Sequence, residues 1–525
     1  MAAAVRYRVK GTGVYVRPSS VPLTADLSGA DAGSVESGPY EIANGVGRRS
    51  RAWRVGSFGP NTAITYSLDE LRRKSRDQAR KNPYAAMAVD RLVSNIIGTG
   101  ITPKSAAPDE EFRKAVTKLW VRWTDEADSI GAHDFYGLQA LAVRGLVEGG
   151  ETFTRLRTRR PEDGLSVPLQ LQLLEGDQCP HLKTEPANRI SQGIQYDGKG
   201  WRTGYWMYRD HPGDALMISP VANELTLVPA DEIAHLYRAL RPGQDRGEPW
   251  LTRALRTLYD LDAYLDAELV RKKTAAMLVA FIKRSPTGED PTGAGPADDT
   301  GTAGLELEPG TMQFLLDGED VTFTDPKDVG PNFEAFVRQA LRGVAAAAGI
   351  LYEELSGDYG TLNDRTLRAS LNAFRRAAEA WQHQLVVFQF CRKVWIRWID
   401  LALLSGALRL PAGMTREDAY AVEWLPTRWA YVHPLQDIQA QQAEIRAGFA
   451  TRSQKVSERG YDSVAIDEEN ASDNTRADGL KLSYTSDGRQ ATKSVAQADK
   501  AGGGAGSGKD GDDADQGPGE DQETD

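Results

Sequence analysis

The chain has 525 residues, 40% of them hydrophobic, which is enough to bury a large core and too apolar for a disordered protein. Its formal charge of -11 is concentrated at one end, because Asp510, Asp512, Asp513, Asp515, Glu520, Asp521, Glu523 and Asp525 face only Lys509 beyond residue 500. The remaining body is nearly balanced, which argues against tight nucleic-acid binding by phosphate neutralisation; two distant cysteines build neither a disulfide framework nor a metal cluster.

The first 65 residues mix Gly, Ser, Pro and Arg without sustained periodicity and read as a loosely ordered arm. Their opening lacks the apolar stretch of a secretory signal, no run of 18 apolar residues follows anywhere, and a reduced, cytoplasmic setting is expected. Ala85, Ala88, Val89, Leu92, Val93 and Ile96 repeat at helical spacing behind Asn82-Pro83, and Gly98 closes the helix. Two more helical stretches follow, DEEFRKAVTKLWVRWTDEAD and HDFYGLQALAVRGLVEGGE. The period then changes to two, with Val167, Leu169, Leu171 and Leu173 alternating with polar residues, a turn at Asp197-Gly198, and two short strands around Pro229.

From Leu251 leucines recur every three or four residues through Leu269, and Glu268 stands four before Lys272, predicting a helix of about 30 residues and ~45 Å. Pro286 to Pro296 breaks the pattern, and a strand-like LEPGTMQFLLDGEDVTFTD comes next. Asn332 then caps a helix with a stripe from Phe333 to Ala348, ended by Gly349. The polar ILYEELSGDYGTLNDRT loop leads into about 40 helical residues, Arg365 to Ser405. The second half of this helix is apolar nearly all round, yet Arg392, Lys393, Arg397 and Asp400 exclude a bilayer span; it packs among neighbouring elements or partner subunits. A last helix, PLQDIQAQQAEIRAGF, precedes the acidic tail.

Chemistry is hard to find along this text. Gly503, Gly508 and Lys509 approach the phosphate-loop spacing, but no apolar strand precedes them, and Asp510 occupies the place of the magnesium-binding hydroxyl. Glu232-x-x-His235 is a single carboxylate-histidine pair in a strand pattern, whereas a di-metal bundle needs two on helices. Cys391 lies within an apolar helix, where an inert thiol is the ordinary case. Arg365, Arg368, Arg375 and Arg376 place four guanidinium groups on one helix, either solvated or touching phosphate.

Several stretches in one order carry a family likeness: RKNPYAAMAVDRLVSNIIGTGI (80–101), EGGETF (148–153), LLEGDQC (173–179), RPGQDRGEPWL (241–251), LDAYLDAELVRKKTAA (261–276), EPGTM (308–312), GILYEELSGDYG (349–360) and HPLQDIQAQQAEIRAGFATRSQKVSERGYD (433–462). Over about residues 70 to 465 the chain resembles the lambda-like family of tailed-bacteriophage portal proteins. Many relatives read N-Y-S-S-x-R where this chain has Asn363-Asp364-Arg365-Thr366-Leu367-Arg368, which keeps the Asn, the final Arg and one hydroxyl.

The resemblance implies an α+β, mainly helical portal fold in a ring of about twelve subunits at one capsid vertex, assembled in host cytoplasm. It implies a flexible arm at 1–65, an α+β wing at 66–250, stem helices at 251–283 and 332–350 around a clip at 284–331, a tunnel loop at 351–364, a long helix, wing and crown at 365–465, and a disordered acidic tail at 466–525. Implied partners are the terminase large subunit, major capsid and scaffold proteins, head-tail connector proteins, and double-stranded DNA that passes through weakly bound. No catalysis, cofactor, metal or membrane is implied. The residues it places near DNA are Asp358, Tyr359, Gly360, Thr361, Leu362, Asn363, Asp364 and Arg365, with Arg368, Lys272 and Lys273 as basic candidates. The competing readings are another structural head or connector subunit and a DNA-acting NTPase.

Overall fold

A computed structural model describes residues 56–214, 224–276, 280–284, 319–323, 332–360, 363–427, 429–431, 433–482 and 484, together with two backbone pairs near the start. Those pairs, β1 (Tyr7–Arg8) and β2 (Tyr15–Val16), run antiparallel in a unit of their own that ends at Gly59. The second unit begins at Pro60 with a helix, Pro60–Thr65, so the last six residues assigned to the expected arm belong to it.

Helices form where the sequence supplies both a stripe and a cap. The Asn82 side chain accepts the Tyr84 and Ala85 amides, Pro83 occupies the first turn, and Ala85, Ala88, Val89, Leu92 and Ile96 of Pro83–Ile96 are buried. Asp109 and Asp134 cap Glu110–Thr124 and Phe135–Gly149 in the same way. These helices cover one face of a three-stranded sheet.

That sheet has the order β10-β4-β5, all antiparallel, with β4 (Glu151–Thr158) central, β5 (Leu169–Glu175) beside it and β10 (Ile233–Tyr237) on the other side. A strand sends alternate side chains to opposite faces. Leu156, Leu169 and Leu171 therefore join the helical core, while Phe153 and Leu174 join a second, smaller core. The other wall of that core is a four-stranded sheet of β6 (Ile190–Ser191), β7 (Ile194–Tyr196), β8 (Arg202–Tyr208) and β9 (Leu225–Pro229). The turn expected at Asp197-Gly198 joins β7 to β8, with Asp197 Oδ1 accepting the Lys199 and Trp201 amides at 2.8 Å. Two small pairings complete the sheets: β3 (Thr102–Ser105) with β13 (Val422–Leu425), and β11 (Ala280–Arg284) with β12 (Glu319–Phe323).

The leucine-periodic helix is shorter than the predicted 251–283. Trp250–Arg253 forms a 3₁₀ turn, the α-helix is Leu255–Ala276, and Ala280–Arg284 is strand, where AFIKR finds a partner in Glu319–Phe323. The helix Asn332–Ala348 follows and is closed by Gly349 at φ +79°. The two helices pack on each other most deeply at one end of their stripes. Leu255, Leu258 and Leu261 meet Leu341, Val344 and Ala345 in the core, whereas Leu269, Val270 and Phe336 emerge exposed. Tyr264 stays against Phe333 and Phe336, at 5.9 and 4.8 Å between ring centres.

The long helical stretch runs from Asp364 to Leu404, but not as a uniform α-helix. Asp364–Trp381 and Arg392–Leu404 flank a wider, π-type segment, Gln382–Cys391, in which the Arg392 amide reaches Val387 O. Most of its apolar circumference is buried inside this same chain, although Phe388 and Leu404 stay exposed. Trp120 lies 5.2 Å from Trp395 and 5.0 Å from Trp398, and the Trp123 indole donates to Leu169 O at 2.9 Å. Of the two alternatives left open by the sequence, neighbouring elements rather than partner subunits cover Trp395.

After the expected helix Pro434–Arg446 come two more, Arg452–Ser457 and Ser463–Gly479. The stretch expected to be structureless from residue 466 is thus helical to Gly479, started by Asp462, whose side chain accepts the Val464 amide. The acidic cluster itself lies outside the described residues. No described helix is long and apolar enough to cross a membrane.

Candidate functional site

The segment expected to approach DNA starts later than its composition suggests. Tyr352–Ser356 is a helical turn ended by Gly357 at φ +71°, so the loop proper begins at Asp358. Asp358 anchors it: its carboxylate accepts the Tyr352 hydroxyl at 3.3 Å and the Gly360 amide at 3.2 Å, with Arg338 at 3.8 Å. Tyr359 is exposed, Thr361 and Leu362 lie outside the described residues, and Asn363 caps the next helix by accepting the Arg365 amide at 3.2 Å. Asp364 is the first residue of that helix.

The basic candidates divide. Arg365 and Lys273 are exposed and have no ion-pair partner among the described residues. Lys272 sits 5.4 Å from the Phe333 ring, and Arg368 is committed to Asp437. Arg375 donates to Ala430 O at 3.1 Å and stacks on Trp429. The four arginines of this helix therefore do not form one free cationic face.

The most heavily bonded polar group is one that sequence reasoning missed. Glu151, first residue of β4, is buried between Arg72 and Arg246, whose side chains are 0% exposed. Arg246 Nε donates to both carboxylate oxygens at 2.8 and 3.0 Å, Arg72 donates to Oε1, the Gly247 amide lies 3.2 Å from Oε2, and His235 Nε2 donates at 2.9 Å. The remaining guanidinium hydrogens of Arg246 go to the carbonyls of Gln192, Gly176 and Cys179. Burial alone would raise the Glu151 carboxyl, but Arg246 and Arg72 hold it well below the usual range. Burial pushes His235 down to about 4, against the opposing pull of Glu151, so the ring is neutral.

This arrangement explains three of the sequence stretches that carry the family likeness. EGGETF supplies Glu151, RPGQDRGEPWL supplies Arg246 and Gly247, and LLEGDQC supplies the Gly176 and Cys179 carbonyls. The glycines are there for space: a Cβ on Gly247 would stand 2.0 Å from Gly150 O. The available signal for Arg72 was its position four after Leu68 and three before Ser75, on the buried face of an otherwise polar helix, Leu68–Lys81.

Other groupings of titratable side chains among the described residues have partners of their own. His235 turns to Glu151, and Glu232 instead faces Arg155 at 3.7 Å, so the two side chains of the Glu232-x-x-His235 pair point to different partners. Glu175, Asp177 and His211 cluster, but the Arg76 guanidinium already bridges the two carboxylates at 2.6 and 2.5 Å. Burial pushes the Cys179 thiol up to about 11 and raises Cys391 as well, the reverse of a nucleophile.

Residues 46–382 match the family model described as "Phage portal protein, lambda family". The chain is 27% identical over 427 residues to a "Probable portal protein" of Halomonas phage phiHAP-1, covering 78% of this chain and 80% of that one. It is 20% identical over 494 residues to "Portal protein B" of Escherichia phage lambda, covering 83% and 90%. Among solved structures, a chain in the neck of a native gene transfer agent particle computed with C12 symmetry aligns with TM-score 0.43 and 16% identity, over 75% of this chain and 92% of that one.

Proposed function

Because the chain belongs to the lambda family of phage portal proteins, we propose that it assembles into a ring of about twelve copies at one capsid vertex. Through this ring a terminase drives DNA in, and from it DNA leaves by way of the tail. The observation that carries the reading is the helix pair Leu255–Ala276 and Asn332–Ala348. Its inner ends are packed in the core, while its outer ends carry Leu269, Val270 and Phe336 more than half exposed. Tyr259 shares the face of Val270, three turns away, and is also exposed. A projecting apolar stripe of this kind is costly in an isolated subunit and is covered when a head-to-tail interface closes into a ring.

On this reading the pair is the stem, and the β11–β12 pairing leads into the clip that meets the terminase. The loop from Asp358 through Leu362 to Arg365 lies along the channel. Lys273 and Arg365 are the basic residues best placed to meet DNA, and Arg368, paired with Asp437, contributes no free charge. A nearly neutral body suits a bore that must let DNA slide, since a basic lining would hold it through counterion release. Capsid, scaffold and connector proteins are the remaining partners, and assembly takes place in host cytoplasm.

Electron microscopy of the purified chain, with native mass, tests this. Rings of about twelve with a hole wide enough for duplex DNA are expected. The double substitution Tyr259→Glu with Val270→Glu should abolish rings while leaving the circular dichroism of the fold unchanged. Wild-type monomers at micromolar concentration would refute the reading.

A further inference from the structure

The two sheets leave a cleft of about 220 Å³ between them, walled by Arg155, Arg157 and Arg209 together with Gln172, Leu174 and Met207. Arg155 and Arg157 alternate along β4 on the face from which Phe153 enters the smaller core, and Arg159 follows in the same alternation one residue past the strand's end. Like charges this close repel, and little among the described residues offsets them. Glu232, 3.7 Å from Arg155, is the ion-pair partner that the ladder has among the described residues. The other partners are neutral amides: Gln172 Oε1 accepts Arg157 Nε at 2.6 Å, and Gln170 Oε1 accepts Arg159 Nε at 2.8 Å. They orient the guanidinium groups without neutralising them. Arg155 Nε is buried with no hydrogen-bond partner among the described residues. Burial and the charges of Arg155, Arg159 and Arg209 together hold Arg157 below its ordinary range, a sign that the site is short of anions.

A ladder of guanidinium groups on every second residue of a strand has a period of about 6.7 Å. A ligand that matches it is an extended acidic peptide with carboxylates at the same alternation. The chain carries one, Asp521-x-Glu523-x-Asp525, with further acids at Asp510, Asp512, Asp513 and Asp515. The chain between Tyr484 and Asp521 can span about 120 Å when extended, so reach is not limiting. A cleft this small admits the side chains of an extended strand, whereas a duplex could meet only the partly exposed guanidinium groups at its mouth.

We propose that the acidic C-terminal segment, residues 510–525, docks in the cleft between the sheets, with Asp521, Glu523 and Asp525 set against Arg159, Arg157 and Arg155. Docking covers a basic surface that would otherwise hold DNA through counterion release, and so keeps the exterior of the molecule from competing for the genome. The inference concerns contacts of the tail and stands apart from ring formation.

The test uses the full-length protein carrying Arg157→Lys, which keeps the charge and supplies an amine. A zero-length carbodiimide should join that amine to residue 521, 523 or 525, read by peptide mass spectrometry. The cross-link should vanish in 0.5 M salt and in a variant with Asp521→Asn, Glu523→Gln and Asp525→Asn. The same neutralised tail should raise affinity for a labelled 30-base-pair duplex at least threefold, and Arg155→Gln with Arg157→Gln should reverse the gain. Absence of the cross-link, its persistence with the neutralised tail, or duplex binding at the arginines with the tail intact would each overturn the proposal; the last would assign the cleft to nucleic acid.

Discussion

Replacing Glu151 by Gln removes one charge and almost no volume. What it leaves is two guanidinium groups, Arg72 and Arg246, both with side chains 0% exposed and without a counter-ion between them. The lost bonds are all charge-assisted: two from Arg246 Nε at 2.8 and 3.0 Å, the contacts from both arginine Nη2 atoms, and the His235 contact at 2.9 Å. The Gln amide also turns a donor toward donors. Removing one partner of a buried ion pair costs about 3–5 kcal/mol, mainly through the charge left behind. With a urea dependence of about 1–3 kcal/mol per molar, the unfolding midpoint should fall by 1 M or more. Tryptophan fluorescence is a suitable reporter, because Trp120, Trp123, Trp395 and Trp398 form one cluster in the core. The control is Arg73→Ala, which breaks an ion pair with Glu70 whose side chains are 72% and 51% exposed and should cost under about 0.5 kcal/mol. A Glu151→Gln midpoint within error of that control would refute the reasoning, since the arginines would then have found water or another partner.

Acid should unfold the protein in two stages. The folded-state value of His235 is lowered to about 4, so its contribution of about 3 kcal/mol is present above pH 6.5 and is lost as pH falls toward 4. Glu151, also lowered, adds a loss below its ordinary range near 4.5, and His235→Gln should flatten the first stage of a stability-against-pH curve while sparing the second. Gly247→Ala forces a Cβ to 2.0 Å from Gly150 O and should cost at least about 2 kcal/mol, whereas Gly343→Ala meets nothing within 4 Å inside a helix and should stabilise by about 0.5–1 kcal/mol; thermal melts of both variants check the pair. Trp398→Ala empties a fully buried site among three other tryptophans and should cost about 3–5 kcal/mol by the same urea assay. Arg368→Ala loses a half-exposed pair with Asp437 and should cost under about 1 kcal/mol, while packaging yield with Arg365→Ala should fall further than with Arg368→Ala.

Local order was legible wherever a short-range physical rule governs it. Asn82-Pro83 announces a helix start because a side-chain oxygen satisfies amides two or three residues on, and Gly349 announces an end because it accepts φ +79°. The alternation around Leu169 and the Asp197-Gly198 turn foretell strands for the same reason. Family membership was legible too, because several motifs recur in one order. Legibility stops where the deciding partner is remote. AFIKR continues a leucine-rich helical text and becomes strand because Glu319–Phe323 comes alongside, and 466–479 reads as polar tail because the side chains that hold it, Lys104 on Asp462 and Lys114 on Glu468, lie far back in the chain.

The sequence by itself thus determined the helical stripes and their caps, which depend on residues within a few positions of one another, and the kinship, which rests on the order of several short motifs. Only the tertiary structure decided that Arg72, Glu151, His235 and Arg246 meet in one buried site, that Trp395 is covered from within the chain, and that Arg368 answers to Asp437. These partners are separated by 79, 84, 95 and 69 positions for Arg72, His235 and Arg246 with Glu151 and for Arg368 with Asp437. No periodicity spans such distances; desolvation in a shared interior selects which charges must find each other.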